Sequence, residues 1–588
     1  MTLYDQLALL EQAGLIQLAQ AEPELEYLFR HALLQETVYH SLLKSDRRAL
    51  HRMVAQALED HYAQRPEEAF GLLAYHYQRA EVVDKAREYL LKAAEQAAGR
   101  FANEDALRYY ADALALTHDP ALRFNLLAAC ETLHDLRGER AAQQADVNAL
   151  ADLAETLADD ARRAEAQLRQ ASLALATSDY DGAYRAAQRA VALGEAARRA
   201  DLAAAGEMHL GMVLTEQGDY ASARERLARA LALARANALL RLEADCLRQL
   251  GAIAYHQSDF AAARAYFEQS LALYRRGGDL RGEARALNNL GGVAYSLGDF
   301  ASAQACLHET MLLYQKTGDR RGEGVALGNL GLLADTRGDH AQAEHYYREY
   351  LRVSSEIGDR ASEGLALTNL GTVHLRLGRL AEAEGRLMRA LAVSREIGER
   401  QGEGLVLAQL SLLAHLRQDD EAALSHARHA LELARALGDE SLQARALTHL
   451  GYALTGLKST TEAAEAYEQA LALRRKLGQH NDALEPLAGL ARLALSAGAL
   501  DHACAYVEII LDHLTDHPLG GTMEQPFRVH LTCYQVLHAA EDSRAAAVLQ
   551  RACEQLRTQA ATLDEPARRL FLELPAHREL LAEQGTAQ

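Results

Sequence analysis

The sequence predicts an all-α chain, an α-α superhelix built from stacked helix pairs, and three observations carry the prediction. First, Leu290-Gly291 recurs as Leu330-Gly331 and Leu370-Gly371, at a constant offset of forty residues. Second, each pair is followed by a turn (Gly298-Asp299-Phe300, Gly338-Asp339-His340, Gly378-Arg379-Leu380), an alanine (Ala303, Ala343, Ala383) and a connector such as Gly318-Asp319 or Gly358-Asp359. A period of this length marks a solenoid of repeated supersecondary units. Third, alanine, leucine, arginine and glutamate dominate, and no proline falls between Pro120 and Pro486, as long helical stretches require.

The register extends outward. Leu210-Gly211, Leu250-Gly251 and Leu450-Gly451 keep the pair whole, Leu410-Ser411 and Leu490-Ala491 keep a small second residue, and the alanine recurs at Ala183, Ala223, Ala263, Ala423, Ala463 and Ala503. Around each pair, apolar residues stand at helical intervals (Ala286, Leu287, Leu290, Val293, Ala294). After the turn comes a second amphipathic run (Ala301, Ala303, Cys306, Leu307, Met311, Leu312, Leu313). Each unit is therefore expected to be two antiparallel helices. Gly291 and Ala303 are expected at their closest approach, where added bulk costs roughly 1 to 3 kcal/mol.

On these residues the array resembles the tetratricopeptide repeat (TPR), in the forty-residue form of kinesin light chains and of cell-polarity adaptors. Leu-Gly lies in the first helix, Gly-Asp-Phe/Tyr at the turn, and Ala-x3-Phe/Tyr in the second helix (Ala263 with Phe267, Ala343 with Tyr347, Ala463 with Tyr467). The usual early tryptophan is missing, and no proline closes the units.

Residues 1–60 depart from the repeat. A helical run from Tyr4 to Gly14 leads to a turn at Ala21-Glu22-Pro23-Glu24, and the alternation of Leu25, Tyr27 and Phe29 predicts a short hairpin. Two amphipathic helices follow, with a break expected near Ser45-Asp46. Phe29, Arg30, His31, Gln35, Tyr39, Leu42, Leu43, Arg48, His51 and Ala55 give this segment a resemblance to the winged-helix remnant that follows the nucleotide-binding core in bacterial signal-transduction (STAND-type, cyclase-linked) ATPases. The ATPase core itself is not in the sequence, so the resemblance implies a regulatory arm without its motor. The plainer reading is a small capping domain. Residues 61–160 read as degenerate helical repeats, with Gly138-Glu139 in phase with later turns. The regular array is expected over 161–517, and proline with glycine at Pro518-Leu519-Gly520-Gly521 ends it. Residues 518–588 read as a helical cap, with long helices near Glu524–Ala540 and Ser543–Ala561.

At 588 residues the chain exceeds the usual single core, which a solenoid permits because each unit packs only on its neighbours. A formal charge of −20 argues against a general nucleic-acid or anionic-membrane binder. Six cysteines are scattered without paired spacing, as in reduced cytosolic proteins. The N-terminus has no signal-peptide pattern and no apolar run is long enough for a membrane helix. The expectation is a cytoplasmic protein.

Nothing in the motifs favours catalysis, a cofactor or a metal. Gly451, Gly456, Lys458 and Ser459 approach a phosphate-binding loop, but Leu457 separates the second glycine from the lysine, and Gly451 already belongs to its repeat. His345, His426 and His429 lie on second helices and read as surface residues, although His426 and His429 share a helix face.

The positive signal precedes each Leu-Gly pair. Asn289, Asn329 and Asn369 occupy that position in successive repeats, flanked in register by Gln249 and Gln409 and further out by His209 and His449. Asparagine is a mediocre helix former, so its repetition asks for a reason. In the repeats it resembles, this position lines the concave groove, where an amide can both donate to and accept from a peptide backbone. The alternative is an amide ladder bonding between repeats. Arg248, Tyr255, His256, Arg285, Asn288, Tyr295 and Arg376 are expected to share the groove and to suit an acidic or aromatic segment. The functional expectation is a non-enzymatic scaffold for a peptide or protein segment in bacterial signalling. A second reading is the sensor arm of a separately encoded or missing STAND-type ATPase or nucleotide cyclase.

Overall fold

The structure, a computed structural model, describes residues 3–20, 26–516 and 523–587. It divides into two compact units: residues 1–135 with 140–173, and residues 174–588 with the turn 136–139.

In the first unit, the helix Leu3–Gln12 leads into an antiparallel hairpin of Ile16–Gln20 with Glu26–Phe29, Ile16 opposite Phe29 and Leu18 opposite Tyr27. The hairpin expected from the alternation is present; its turn lies outside the described residues. The helices Ala32–Ser41 and Lys44–His61 follow, and the chain breaks at Leu42-Leu43, both extended, rather than at Ser45-Asp46. Ser45 and Asp46 instead sit in the first helical turn, where an acidic side chain favours the helix dipole. Helices Phe70–Arg79 and Val83–Gly99 then pack around Leu73, Leu90 and Ala94. Glu59 ties these helices to Lys44–His61: its carboxylate accepts from Tyr77 (2.6 Å), Tyr89 (2.5 Å) and Lys85 (2.9 Å). Burial would raise the Glu59 pKa, but these donors together hold it below the usual carboxylate range.

In the second unit the forty-residue period appears as helix pairs. One row is formed by Ala200–Glu216, Leu240–His256, Leu280–Ser296, Arg320–Thr336, Arg360–Arg376, Arg400–Leu416 and Glu440–Gly456, and neighbours along it touch. The other row, from Tyr180–Ala196 to Thr460–Lys476, packs against it. The connectors explain their own sequence. Each ends one helix with a left-handed residue (Gly298 φ +76°, Gly318 φ +65°), and most start the next with an aspartate whose carboxylate accepts a backbone N–H three residues on, as Asp299 does from Ser302 and Asp319 from Gly322, whereas Arg379 and Ser459 make no such bond.

The Leu-Gly glycines sit where the two rows cross. A Cβ on Gly251 would lie 2.6 Å from the Phe267 ring, one on Gly331 2.5 Å from Tyr347, and one on Gly371 2.6 Å from Leu387. Gly291 is looser, 3.1 Å from Leu307. The partner alanines Ala223, Ala263, Ala303, Ala343 and Ala383 are fully buried.

Beyond Leu500–Asp516 come Pro526–Ala539, Ala545–Ala561, Glu565–Glu573 and Pro575–Ala587. The Pro518–Gly521 break lies outside the described residues. The first of these helices packs on the last regular pair. The segment does more than terminate the array, however: residues 523–577 return across the first row of helices. The Leu570 carbonyl oxygen stands 2.4 Å from where a Cβ on Gly378 would be, and Gln559 stands 3.1 Å from that of Gly338. Among the described residues no helix is long and apolar enough to cross a membrane.

Candidate peptide-binding face

The first row of helices presents one continuous face, open over its earlier repeats and covered over its later ones. In the open part, Tyr255, His256, Asn288, Asn289, Tyr295 and Asn329 line a depression of about 320 Å3. The tyrosines stand forty residues apart and each bonds the next repeat, Tyr255 to Ser296 (2.9 Å) and Tyr295 to Thr336 (2.9 Å). They form an aromatic wall held upright. Below it, Asn329 Nδ2 donates to Asn288 Oδ1 at 2.9 Å, a single amide bond between repeats. His256 stacks on Tyr220, ring centroids 6.0 Å apart.

Gln249 is buried, and Arg285 stands 4.0 Å from Asp245, which also accepts from the Tyr274 hydroxyl at 2.6 Å; neither Gln249 nor Arg285 lines the depression. The Nε of Arg248 is buried without a hydrogen-bond partner. Asn369 is half-buried on the next helix of the row.

Gln409 and Arg376 lie under the C-terminal return. Gln409 donates to Glu524 Oε1 (2.6 Å), His449 Nε2 meets Glu524 Oε2 (2.5 Å), and Arg445 approaches Oε1 (3.4 Å). His449 Nδ1 faces the Ala408 carbonyl at 2.8 Å, so both ring nitrogens point at oxygen acceptors. Glu485 accepts the backbone N–H groups of Glu524 (2.7 Å) and Gln525 (2.6 Å). Arg528 stacks over Tyr452 at 4.3 Å and donates to His415 Nε2 at 2.6 Å, while His415 Nδ1 is fixed by Asp420 at 2.7 Å. Burial opposes ionisation of Glu524, yet His449 and Arg445 hold its carboxyl well below the usual range. Burial and the Glu524 charge push Glu485 up. A six-residue stretch of the chain, Met523 to Arg528, is thus held as a bound peptide would be, by backbone and side chain together.

Arg445, Glu485, His415, Arg528 and Glu524 escaped the sequence reading. Arg445 carried a usable signal: it stands 160 residues, four repeats, after Arg285, as Gln409 does after Gln249 and His449 after Asn289.

Two other constellations have local explanations. Glu344, His374 and Glu382 lie close enough to suggest a cation site, but Glu344 pairs with Arg348 and Arg379, whose guanidiniums already supply positive charge. Gly451 packs on Tyr467, Gly456 ends its helix, and Lys458 is a left-handed turn residue, so this stretch is a helix end rather than a phosphate loop. All six cysteines are free thiols. His345 and His429 are exposed and His426 is half-buried.

Family models described as tetratricopeptide repeat match residues 201–276, 282–356, 362–436 and 443–482. An uncharacterized protein of Rhizobium meliloti is 33% identical over 90 residues, which is 15% of this chain and 9% of that protein's length. Among solved structures, similarity extends to a Rap protein complexed with competence and sporulation factor (14% identity, 61% of this chain and 98% of that one, TM-score 0.46). It extends also to aspartyl phosphate phosphatase F from Bacillus subtilis (14%, 58% and 92%, 0.41) and to yeast Tom70 (16%, 79% and 99%, 0.37). Spacing, connectors, helix crossings and family match converge, and the array between residues 201 and 482 is built of tetratricopeptide repeats.

Proposed function

We propose that this protein is a non-catalytic interaction scaffold and that its open inner face, from Gln249 to Asn329, receives an acidic segment of a partner protein. The observation that carries the reading is internal. Gln409, Arg445 and His449 hold the Glu524 carboxylate, and Gln249, Arg285 and Asn289 stand in the same register four repeats earlier, with asparagine in place of the histidine and Asn289 lining an open depression. Amides alone contribute roughly 0.5 to 1.5 kcal/mol per hydrogen bond, whereas micromolar affinity needs about 8 kcal/mol. A charge-assisted bond from Arg285 and aromatic contact with Tyr255 and Tyr295 supply the difference. The test is a peptide array in which each acidic decapeptide is paired with its amide counterpart. Indifference to that exchange would end this reading.

A second reading has its own observation. On residues 1–60, Leu33, Leu43 and Met53 are 78%, 70% and 64% exposed, with Val38 and Leu50 beside them in sequence. Apolar exposure of this kind marks contact surfaces, and it favours attachment of this segment to a separately encoded signalling ATPase or cyclase. Co-expression with ATPases encoded nearby, followed by gel filtration of wild type and a Leu33→Ser, Leu43→Ser variant, tests it.

A further inference from the structure

Where the C-terminal return crosses the face of the repeats, the two border a half-open pocket of about 310 Å3. We propose that this pocket is a binding site for a small monocarboxylic acid with an aromatic or branched apolar body. The size is that of a small-ligand pocket, and the lining has the matching division of mostly apolar surface with a few placed polar groups.

The repeat side supplies the polar end. Arg376 Nη1 stands 3.3 Å from Asp335 Oδ2, and its Nε is buried without a hydrogen-bond partner. Asp335 is already satisfied, since its other oxygen meets His340 Nδ1 at 2.9 Å. The guanidinium therefore has donors to spare, while its counter-ion has no need of another cation. Gln555, whose Oε1 is engaged by His530 at 3.2 Å, adds its amide nitrogen. Asp335 and Glu524 also line the pocket, but both carboxylates are already held, Asp335 by His340 and Arg376 and Glu524 by Gln409, His449 and Arg445, so the charged donor left open is the Arg376 guanidinium, which binds a carboxylate through two parallel hydrogen bonds.

The return supplies the apolar end. Phe527, Phe571 and His577 form an edge-to-face cluster, with ring centroids 6.3 Å apart for the phenylalanines and 4.5 Å for Phe571 with His577. His577 Nδ1 is occupied by the Phe571 carbonyl at 2.7 Å, which fixes the cluster. Met523 and Leu574 complete it. A ligand seated here touches both the repeats and the return, so binding holds the return in place.

The experiment uses the full chain and three probes, benzoate, 3-phenylpropionate and 4-methylpentanoate, each against its neutral amide, read by calorimetry and by melting temperature. At least one acid is expected to bind at least tenfold more tightly than its amide and to raise the melting temperature. Arg376→Gln should erase the preference for the acid, and Leu574→Trp, which fills the cavity without touching a charge, should abolish binding of both. The proposal fails if no acid binds, if acid and amide bind alike, or if Leu574→Trp binds as wild type does.

Discussion

Glu524 and His449 meet at 2.5 Å across 75 residues of chain, and both are buried. Each loses a buried, charge-assisted bond when the return lifts away from the face, so the pair latches the C-terminal segment. Removing one member of a buried pair typically costs about 3 to 5 kcal/mol, because the other is left desolvated and unpartnered. Glu524→Ala should therefore lower the denaturation midpoint by that order and speed hydrogen exchange at residues 523–528. A smaller loss is expected from Glu524→Gln, which keeps the bond from Gln409 in shape but gives up the charge. Unaltered exchange in the alanine variant would mean that the latch lies elsewhere.

Acid should weaken the same interface. Burial, assisted by Arg528 and opposed by Asp420, depresses His415 to about 4. Burial likewise depresses His530 to about 4 against its bond to Gln555 Oε1, and His577 to about 4 against its bond to the Phe571 carbonyl. The ordinary histidine value is 6.5. A released or unfolded chain therefore takes up protons that the docked chain refuses, and docking is fully stable only above pH 6.5. It weakens as pH falls from there toward 4, by about 1.4 kcal/mol per unit for each histidine. Glu524, whose pKa is depressed when docked, adds a loss of the same sign at the acid end of this window. Limited proteolysis between pH 7.5 and 4.5 should show cleavage within 523–577 rising before the array melts.

Two glycines, one in each row of helices, separate two effects. Gly251→Ala would drive a Cβ to 2.6 Å from Phe267, and the resulting overpacking should cost about 1 to 3 kcal/mol. Gly385, in the helix Leu380–Glu396, has nothing within 4 Å of where a Cβ would stand, so Gly385→Ala should stabilise by about 0.5 to 1 kcal/mol through helix propensity alone. Chemical denaturation of the two variants should move the midpoint in opposite directions.

These two glycines also show what was legible. Gly251 announced itself because close helix crossing recurs at each repeat and leaves a mark every forty residues, and the Gly-Asp connectors did so because left-handed backbone and N-capping are local demands. The hairpin of residues 16–29 was readable from alternation, whereas the break at Leu42-Leu43 was not, since extended leucines carry no turn chemistry. The return of 523–577 left no periodic trace. Glu524 finds Gln409, Arg445 and His449 only after the chain has turned back, and a glutamate followed by Gln-Pro-Phe reads in sequence as the start of one more helix. For the same reason the face positions of Gln409 and Arg376 could be read from register, but not that the chain itself covers them.

The open half of the face should discriminate by charge. Gln249, Arg285 and Asn289 stand in the register of the residues that hold Glu524, so a decapeptide with a central glutamate should bind there more tightly than its glutamine analogue. Among the described residues the ion-pair partner of Arg285 is Asp245 at 4.0 Å, a long contact that leaves its charge open to a closer carboxylate. Arg285→Ala should cost at least 1.5 to 3 kcal/mol of binding, the range of a hydrogen bond to a charged group, or roughly tenfold or more in affinity. Alanine at Asn289, Asn329 and Asn369 together should weaken binding less steeply and without loss of helicity by circular dichroism, because no charge is removed. Raising salt should erode the glutamate preference, since the face is open to solvent and screened. Fluorescence anisotropy with the paired peptides, at low and high salt, measures all four effects. If glutamate and glutamine peptides bind alike, or if Arg285→Ala leaves affinity untouched, the likeness to the Glu524 site is one of register alone and the acidic-partner reading falls.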